Sequence, residues 1–177
     1  MRITTMQSDA HVHLPALSER QADFFLNLPD SDWRAAFVSH DPAEFETSSA
    51  LAKFFPGCIQ GFGIHPQSLR EEGRSFLASL VEERRIGFIG EAGFEFFGDR
   101  PEWIRNEENL KSQRDFFEFQ LALAIDAGLP LLVHTRKATD VLLGYAPRLR
   151  RLPSLIFHGW PGRIHDANAF LLKGVNA

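Results

Sequence analysis

The stretch Gln113–Arg136, QRDFFEFQLALAIDAGLPLLVHTR, decides the fold. Phe116, Phe117, Gln120, Leu121, Ala124 and Ile125 recur at spacings of three and four, the period of one helix face, over Gln113–Ala127. Gly128-Leu129-Pro130 then stops the helix, because glycine accepts the left-handed turn at a helix end and proline cannot continue the helix. Leu131-Leu132-Val133 follows at once, apolar on both faces as in a parallel strand that is covered on both sides. A helix running into such a strand is half of a repeating βα unit.

The same alternation extends in both directions. Strands are expected over Ser8–Leu14, Ala35–Ser39, Cys58–Ile64, Ile86–Glu91, Leu129–His134 and Ser154–His158, and a second clear helix over Ser75–Arg84. Leu155-Ile156-Phe157 again reads as buried on both faces. Strand starts recur roughly every 29 residues, an ordinary βα spacing. The expected fold is therefore α/β, a (β/α)8 TIM-barrel type with about six of its eight units, forming one domain over residues 1–177. Gly174-Val175-Asn176-Ala177 stands where a seventh strand is expected to begin, so the barrel is expected to lack its last quarter. Phe97–Asn109, with Gly98, Pro101 and mixed charges, reads as a loop long enough to cover a site.

Composition narrows the function. Hydrophobic residues make up 44% and charged residues 24% of 177, the balance of a globular protein. Seventeen Phe against one Tyr and three Trp suit apolar packing. Nineteen basic against 23 acidic residues leave a net charge of −4, which gives no broad footprint for nucleic acid, so any such contact has to be local. Cys58 is the single cysteine, which excludes an internal disulfide and fits a reducing, cytoplasmic setting. Met1–Met6 lacks the apolar run of a signal peptide, and no stretch approaches the roughly 20 apolar residues of a membrane span. Gly61-Phe62-Gly63 lacks the third glycine of a dinucleotide fingerprint, and no Walker-type phosphate loop is present. Ser39-His40-Asp41 cannot form a hydrolytic triad, since neighbours on an extended chain point in opposite directions.

Histidines gather where the strands end. His11 and His13 sit in the first, His40 follows the second, His65 the third, His134 ends the fifth and His158 the sixth, leaving His165 in a helical segment. The carboxyl edge of a parallel barrel is where active sites are built. In Asp9-Ala10-His11-Val12-His13 the two imidazoles, two residues apart on a strand, share a face and can reach one metal ion. Glu91, in Gly90-Glu91-Ala92-Gly93, is expected at a buried strand end, where an ionised carboxylate needs a compensating cation. Taken singly, each has a plainer reading: a hydrogen-bonded core histidine, or for Glu91 a cap or a salt-bridge partner. Five candidate donors (His11, His13, Glu91, His134 and His158) on one edge favour a metal site.

The motifs Asp9-Ala10-His11-Val12-His13-Leu14, Gly63-Ile64-His65-Pro66, Gly90-Glu91-Ala92-Gly93, Leu129–Arg136 and His158-Gly159-Trp160-Pro161-Gly162, in that order, resemble the TatD family of metal-dependent hydrolases. Phe117–Leu121, on the helix before strand five, extends the match. The resemblance implies an amidohydrolase-type barrel that holds two divalent ions, zinc, magnesium or manganese, and hydrolyses phosphodiester bonds of DNA. It implies that His11 and His13 bind the first ion, that Glu91 bridges, and that His134 and His158 bind the second. Glu91 and His65 would then be catalytic, with His65 and Arg136 at the substrate phosphate and Lys137 adding local positive charge. Glu95 stands where the family has aspartate, Pro161 where it has serine, and an aspartate of an eighth strand has no counterpart up to Ala177. On that footing the 177-residue chain is expected to hold at most one metal firmly, to have little or no nuclease activity, and to be poorly soluble or self-associate through open barrel edges. The alternatives are an amidohydrolase-type enzyme acting on a small amide, lactone or phosphoester, and an inactive remnant or binding module.

Overall fold

The computed structural model describes residues 7–17, 33–55, 57–160 and 162–176. Met1–Met6, Pro161 and Ala177 lie outside them. Six strands, β1 (Gln7–Val12), β2 (Trp33–Ser39), β3 (Ile59–Phe62), β4 (Phe88–Glu95), β5 (Leu131–Arg136) and β6 (Leu155–His158), form one sheet in chain order. All five pairings are parallel. Helices α1 (Pro42–Ala52), α2 (Glu72–Glu82), α3 (Glu107–Ala127), α4 (Thr139–Gly144), α5 (Ala146–Leu149) and α6 (Ile164–Leu172) fall between or after the strands. This is a partial (β/α)8 barrel, as the alternating pattern predicts.

The main core lies between sheet and helices, where Phe94, Phe117, Leu121, Leu131 and Leu77 are fully buried. A separate cluster, Ala36, Val38, Phe88 and Leu132, packs the opposite side of the strands. Two residues on from Val38 and Leu132 stand His40 and His134, so strand alternation carries those imidazoles toward that inner side.

Several boundaries differ from the sequence expectation for identifiable reasons. Helix α3 begins at Glu107 rather than Gln113, because the Asn106 side chain caps it by accepting from Asn109 N at 2.8 Å. Its first turn is charged and carries no apolar stripe to read, and the expected loop correspondingly shortens around a 3-10 turn at Pro101–Trp103. Strand β1 ends at Val12, with His13 leading into a 3-10 turn at Leu14–Ala16. Strand β4 runs on to Glu95, through Gly93. There φ is +155° and a Cβ would stand 1.9 Å from His134 O, so only glycine lets β5 pair this closely. Strand β6 is buried on one side only: Ile156 is 40% exposed, because β6 is an edge of the sheet. After α6 the chain turns at Gly174, Val175 is buried, and Asn176 O accepts from Leu155 N at 3.0 Å.

Candidate metal centre

Glu91 is the hub of the carboxyl edge. A register shift between Ile89 and Ala92 in the β4–β5 ladder interrupts the regular pleat around it, a device that re-aims a side chain. The carboxylate is buried and faces six imidazoles. Its Oε2 lies 2.8 Å from His11 Nε2, 3.2 Å from His40 Nε2, 3.8 Å from His65 Nε2 and 3.9 Å from His13 Nε2. Its Oε1 lies 3.2 Å from His134 Nδ1 and 3.9 Å from His158 Nε2. The rings form a chain of near neighbours from His158 through His11, His13, His40 and His65 to His134, with centroid separations of 3.7–4.9 Å.

The outer nitrogens decide what each ring presents inward. His13 Nδ1–H donates to Glu44 Oε1 at 3.0 Å and His134 Nε2–H to Glu95 Oε2 at 3.0 Å, so each can turn a lone pair toward Glu91. His65 is reversed. Its Nδ1 accepts from Gln67 N at 3.1 Å, so in the neutral ring the proton sits on the inward Nε2, 3.2 Å from His134 Nδ1.

Electrostatics follow from burial and these partners. Burial works to raise the Glu91 pKa, but without a metal the contacts of His11, His134 and His40, made when their inward nitrogens also carry protons, outweigh it and hold the carboxyl far below its ordinary range. Burial, reinforced by nearby His134 and His40, pushes His65 down to about 3, so this ring is neutral at physiological pH. His13 is raised chiefly by its Glu44 partner. His134 is lowered by burial but raised, on balance, by Glu91 and Glu95. Burial holds His158 below 6.5.

Helices set these strand ends. Asp41 caps α1 by accepting from Glu44 N at 2.9 Å, with Pro42 in the first turn. That starts the helix two residues after His40 and returns Glu44 to the strand ends, where Oε2 accepts from His40 N at 2.6 Å. Helix α3 contributes two buried glutamines seven residues apart. Gln120 takes Ile64 N on Oε1 (2.8 Å) and gives Nε2–H to Ile64 O (3.1 Å), fixing the backbone just before His65. Gln113 clamps Glu95 in the same two-bond manner, at 2.9 and 3.0 Å. Glu95 Oε2 also accepts from Gln67 Nε2 at 2.9 Å, and Oε1 from Phe97 N at 2.7 Å.

Of the residues singled out from sequence, His11, His13, Glu91, His134, His158 and His65 come together here. Arg136 lies two residues past His134 and stacks on Phe97, with the guanidinium carbon 4.4 Å from the ring centroid; Lys137 Nζ stands 4.9 Å from the same ring. His165 is away from the cluster, paired with Asp166 on α6. Sequence reasoning placed His40 at a strand end without a role, and it missed Glu44 and the clamping part of Gln113 and Gln120.

A buried carboxylate among inward-facing imidazole lone pairs is a nitrogen and oxygen donor set for a divalent transition metal or zinc. Such lone pairs cannot stand 3–4 Å from an anion without protons or a cation between them. Donor atoms of His11, His13, His40 and Glu91 lie within 4.8 Å of one another, as do those of His65, Glu91 and His134. The first set fits an ion. In the second, the His65 tautomer puts a proton where a ligand needs a lone pair.

The chain is similar to several known proteins. The 3'-5' ssDNA/RNA exonuclease TatD of Cronobacter sakazakii is 29% identical over 143 residues, covering 78% of this chain and 52% of that protein. An uncharacterized metal-dependent hydrolase of Haemophilus influenzae is 27% identical over 177 residues, covering 94% and 66%. The chain thus spans about half to two thirds of the length of these relatives. Among solved structures, the TatD homologue YjjV of Escherichia coli superposes with a TM-score of 0.78 at 23% identity, covering 98% of this chain and 67% of that one. Among the described residues no helix is long and apolar enough to cross a membrane. Because residues 8–177 match the family model described as TatD related DNase, the chain belongs to the TatD family.

Proposed function

We propose that the site hydrolyses phosphodiester bonds of nucleic acid with divalent metal held by His11, His13, Glu91, His134 and His158. The observation that carries this reading is the buried Glu91 carboxylate facing imidazole nitrogens from β1, β5 and β6 at 2.8–3.9 Å. Divalent metal bound there supplies a Lewis acid for a phosphoryl oxygen and lowers the pKa of water, whether one ion or two are held.

The chain's own groups do the rest. Glu91 supplies negative charge between the two groups of imidazoles. His65, neutral and protonated on its inward Nε2, donates a hydrogen bond to a phosphate oxygen without contributing charge. Arg136, held against Phe97, offers a planar guanidinium whose forked donors match phosphate oxygens. The local Arg136 and Lys137 pair meets the need for localised positive charge in a chain of net charge −4. The names of the exonuclease relatives point to single-stranded DNA or RNA as substrate.

The test is cleavage of an end-labelled single-stranded oligonucleotide by the 177-residue protein with zinc, manganese or magnesium, alongside an aryl phosphodiester and a lactone. Oligonucleotide cleavage abolished by a chelator and by Glu91→Gln is the expected result. Turnover of the lactone alone, or cleavage that survives Glu91→Gln, would overturn the reading.

A further inference from the structure

His40 is outside the ligand set of the proposed function, yet its Nε2 stands 3.2 Å from Glu91 Oε2, nearer than His13, His65 or His158. We propose that His40 is itself a metal ligand, completing with His11, His13 and Glu91 a four-donor set for one divalent ion. The inference rests on the metal-dependent reading of this site.

Three observations support it. The first is distance. Atoms bound to one ion at about 2 Å stand about 3–4 Å apart, and these four donors already lie within 4.8 Å of one another. The second is the tautomer. His40 Nδ1–H donates to Gly63 O at 3.4 Å, which leaves a lone pair on Nε2, aimed at a carboxylate oxygen. A lone pair and an anion at that separation need a proton or a metal ion between them, and a metal ion serves His11 and His13 at the same oxygen as well. His65, the neighbouring ring at 4.8 Å, fails the same criterion because Gln67 N–H occupies its Nδ1.

The third observation is the supporting frame. Glu44 takes the His13 ring on one oxygen and the His40 backbone on the other, so one carboxylate orients both residues. A carboxylate or carbonyl behind a ligating imidazole is the usual way its inward nitrogen is kept free. One carboxylate and three neutral imidazoles around a dication leave the set with a net positive charge, which favours an anionic phosphate.

Cobalt(II), titrated into the full 177-residue protein and followed by visible absorption, tests the assignment. The wild type, His40→Gln, His13→Gln and the exposed control His165→Gln are compared, with far-ultraviolet circular dichroism confirming that each folds. The expected result is that His40→Gln weakens the tight site about 10–100-fold and shifts its absorption bands, as His13→Gln does, while His165→Gln changes neither. Wild-type affinity and spectrum in His40→Gln, with the site lost in His13→Gln, would overturn the role of His40 and leave the metal-dependent reading standing. No tight cobalt binding by the wild type would overturn both. X-ray absorption of the wild type loaded with less than one equivalent of zinc gives a check that needs no variant: three imidazoles on the metal support the assignment, and two overturn it.

Discussion

His11 and His158 face each other with ring centroids 3.7 Å apart and planes inclined by 41°, although their strands are the two edges of the sheet. The sheet therefore curls far enough to bring its first and last strands to a common point, and Glu91 stands between their imidazoles and those just after β2 and β3 and in β5. Two rings this close resist carrying charge together. Burial lowers the His158 pKa, and His11 lowers it further. His158 is expected to titrate below pH 6.5 in nitrogen-detected NMR, and His11→Gln is expected to move that midpoint upward. An unchanged midpoint would show that the rings are not electrostatically coupled.

Glu91 gives the site its pH dependence in the presence of a chelator. The folded-state pKa of His134 lies above its ordinary 6.5, with Glu91 as the main raising partner. The stability it contributes is complete below pH 6.5 and is lost as the pH rises through the raised value. Glu91 itself, with a depressed pKa, keeps its contribution above the ordinary carboxylate range and loses it only in strong acid. Glu91→Gln should therefore cost about 3–5 kcal/mol at pH 6 and distinctly less at pH 9, as read from urea unfolding. Equal penalties at the two pH values would mean that the imidazoles are not charged through Glu91.

Part of this centre is readable without coordinates. His11, His134 and His158 stand in or beside apolar strand runs, and a parallel barrel sends such positions to one edge. His40 obeys the same rule, but its chain neighbours Ser39 and Asp41 draw attention to a triad that an extended chain cannot form. Glu44 is not readable, because its partner His13 lies 31 residues away and nothing local marks the pairing; Glu95 is marked only by the family resemblance, and its partner His134 lies 39 residues away. The extent of β4 was hidden by Gly93, which looks like a strand stop and is instead where β5 approaches most closely. Gln120 fits the apolar stripe of α3 by position, so its hydrogen bonds to Ile64 leave no trace in the pattern.

That clamp can be tested directly. Gln120 is fully buried and satisfies both the N–H and the C=O of Ile64. Gln120→Met preserves volume and removes both bonds, leaving a buried donor and acceptor unpaired. A loss of about 2–4 kcal/mol in unfolding free energy is expected. The His65 ring, released at its backbone, should also show altered NMR shifts. A variant as stable as the wild type would mean that water or a shifted strand replaces the glutamine.

Arg136 separates substrate binding from metal binding. Its guanidinium packs on the half-exposed Phe97 rather than on any of the six imidazoles around Glu91. Replacing it should therefore leave the metal site intact while removing a forked donor from the phosphate. Arg136→Ala is expected to bind cobalt(II) as the wild type does and to lower kcat/KM for an oligonucleotide by about 10–100-fold, a loss of roughly 1.4–2.7 kcal/mol of transition-state stabilisation. Arg136→Lys keeps the charge but not the fork, so it should recover only part of the rate. Phe97→Ala, which removes the surface that holds the guanidinium, should produce a milder version of the same defect. If Arg136→Ala instead cleaves at the wild-type rate, the residue serves only to cover Phe97, and the phosphate contact has to be sought among His65 and Lys137.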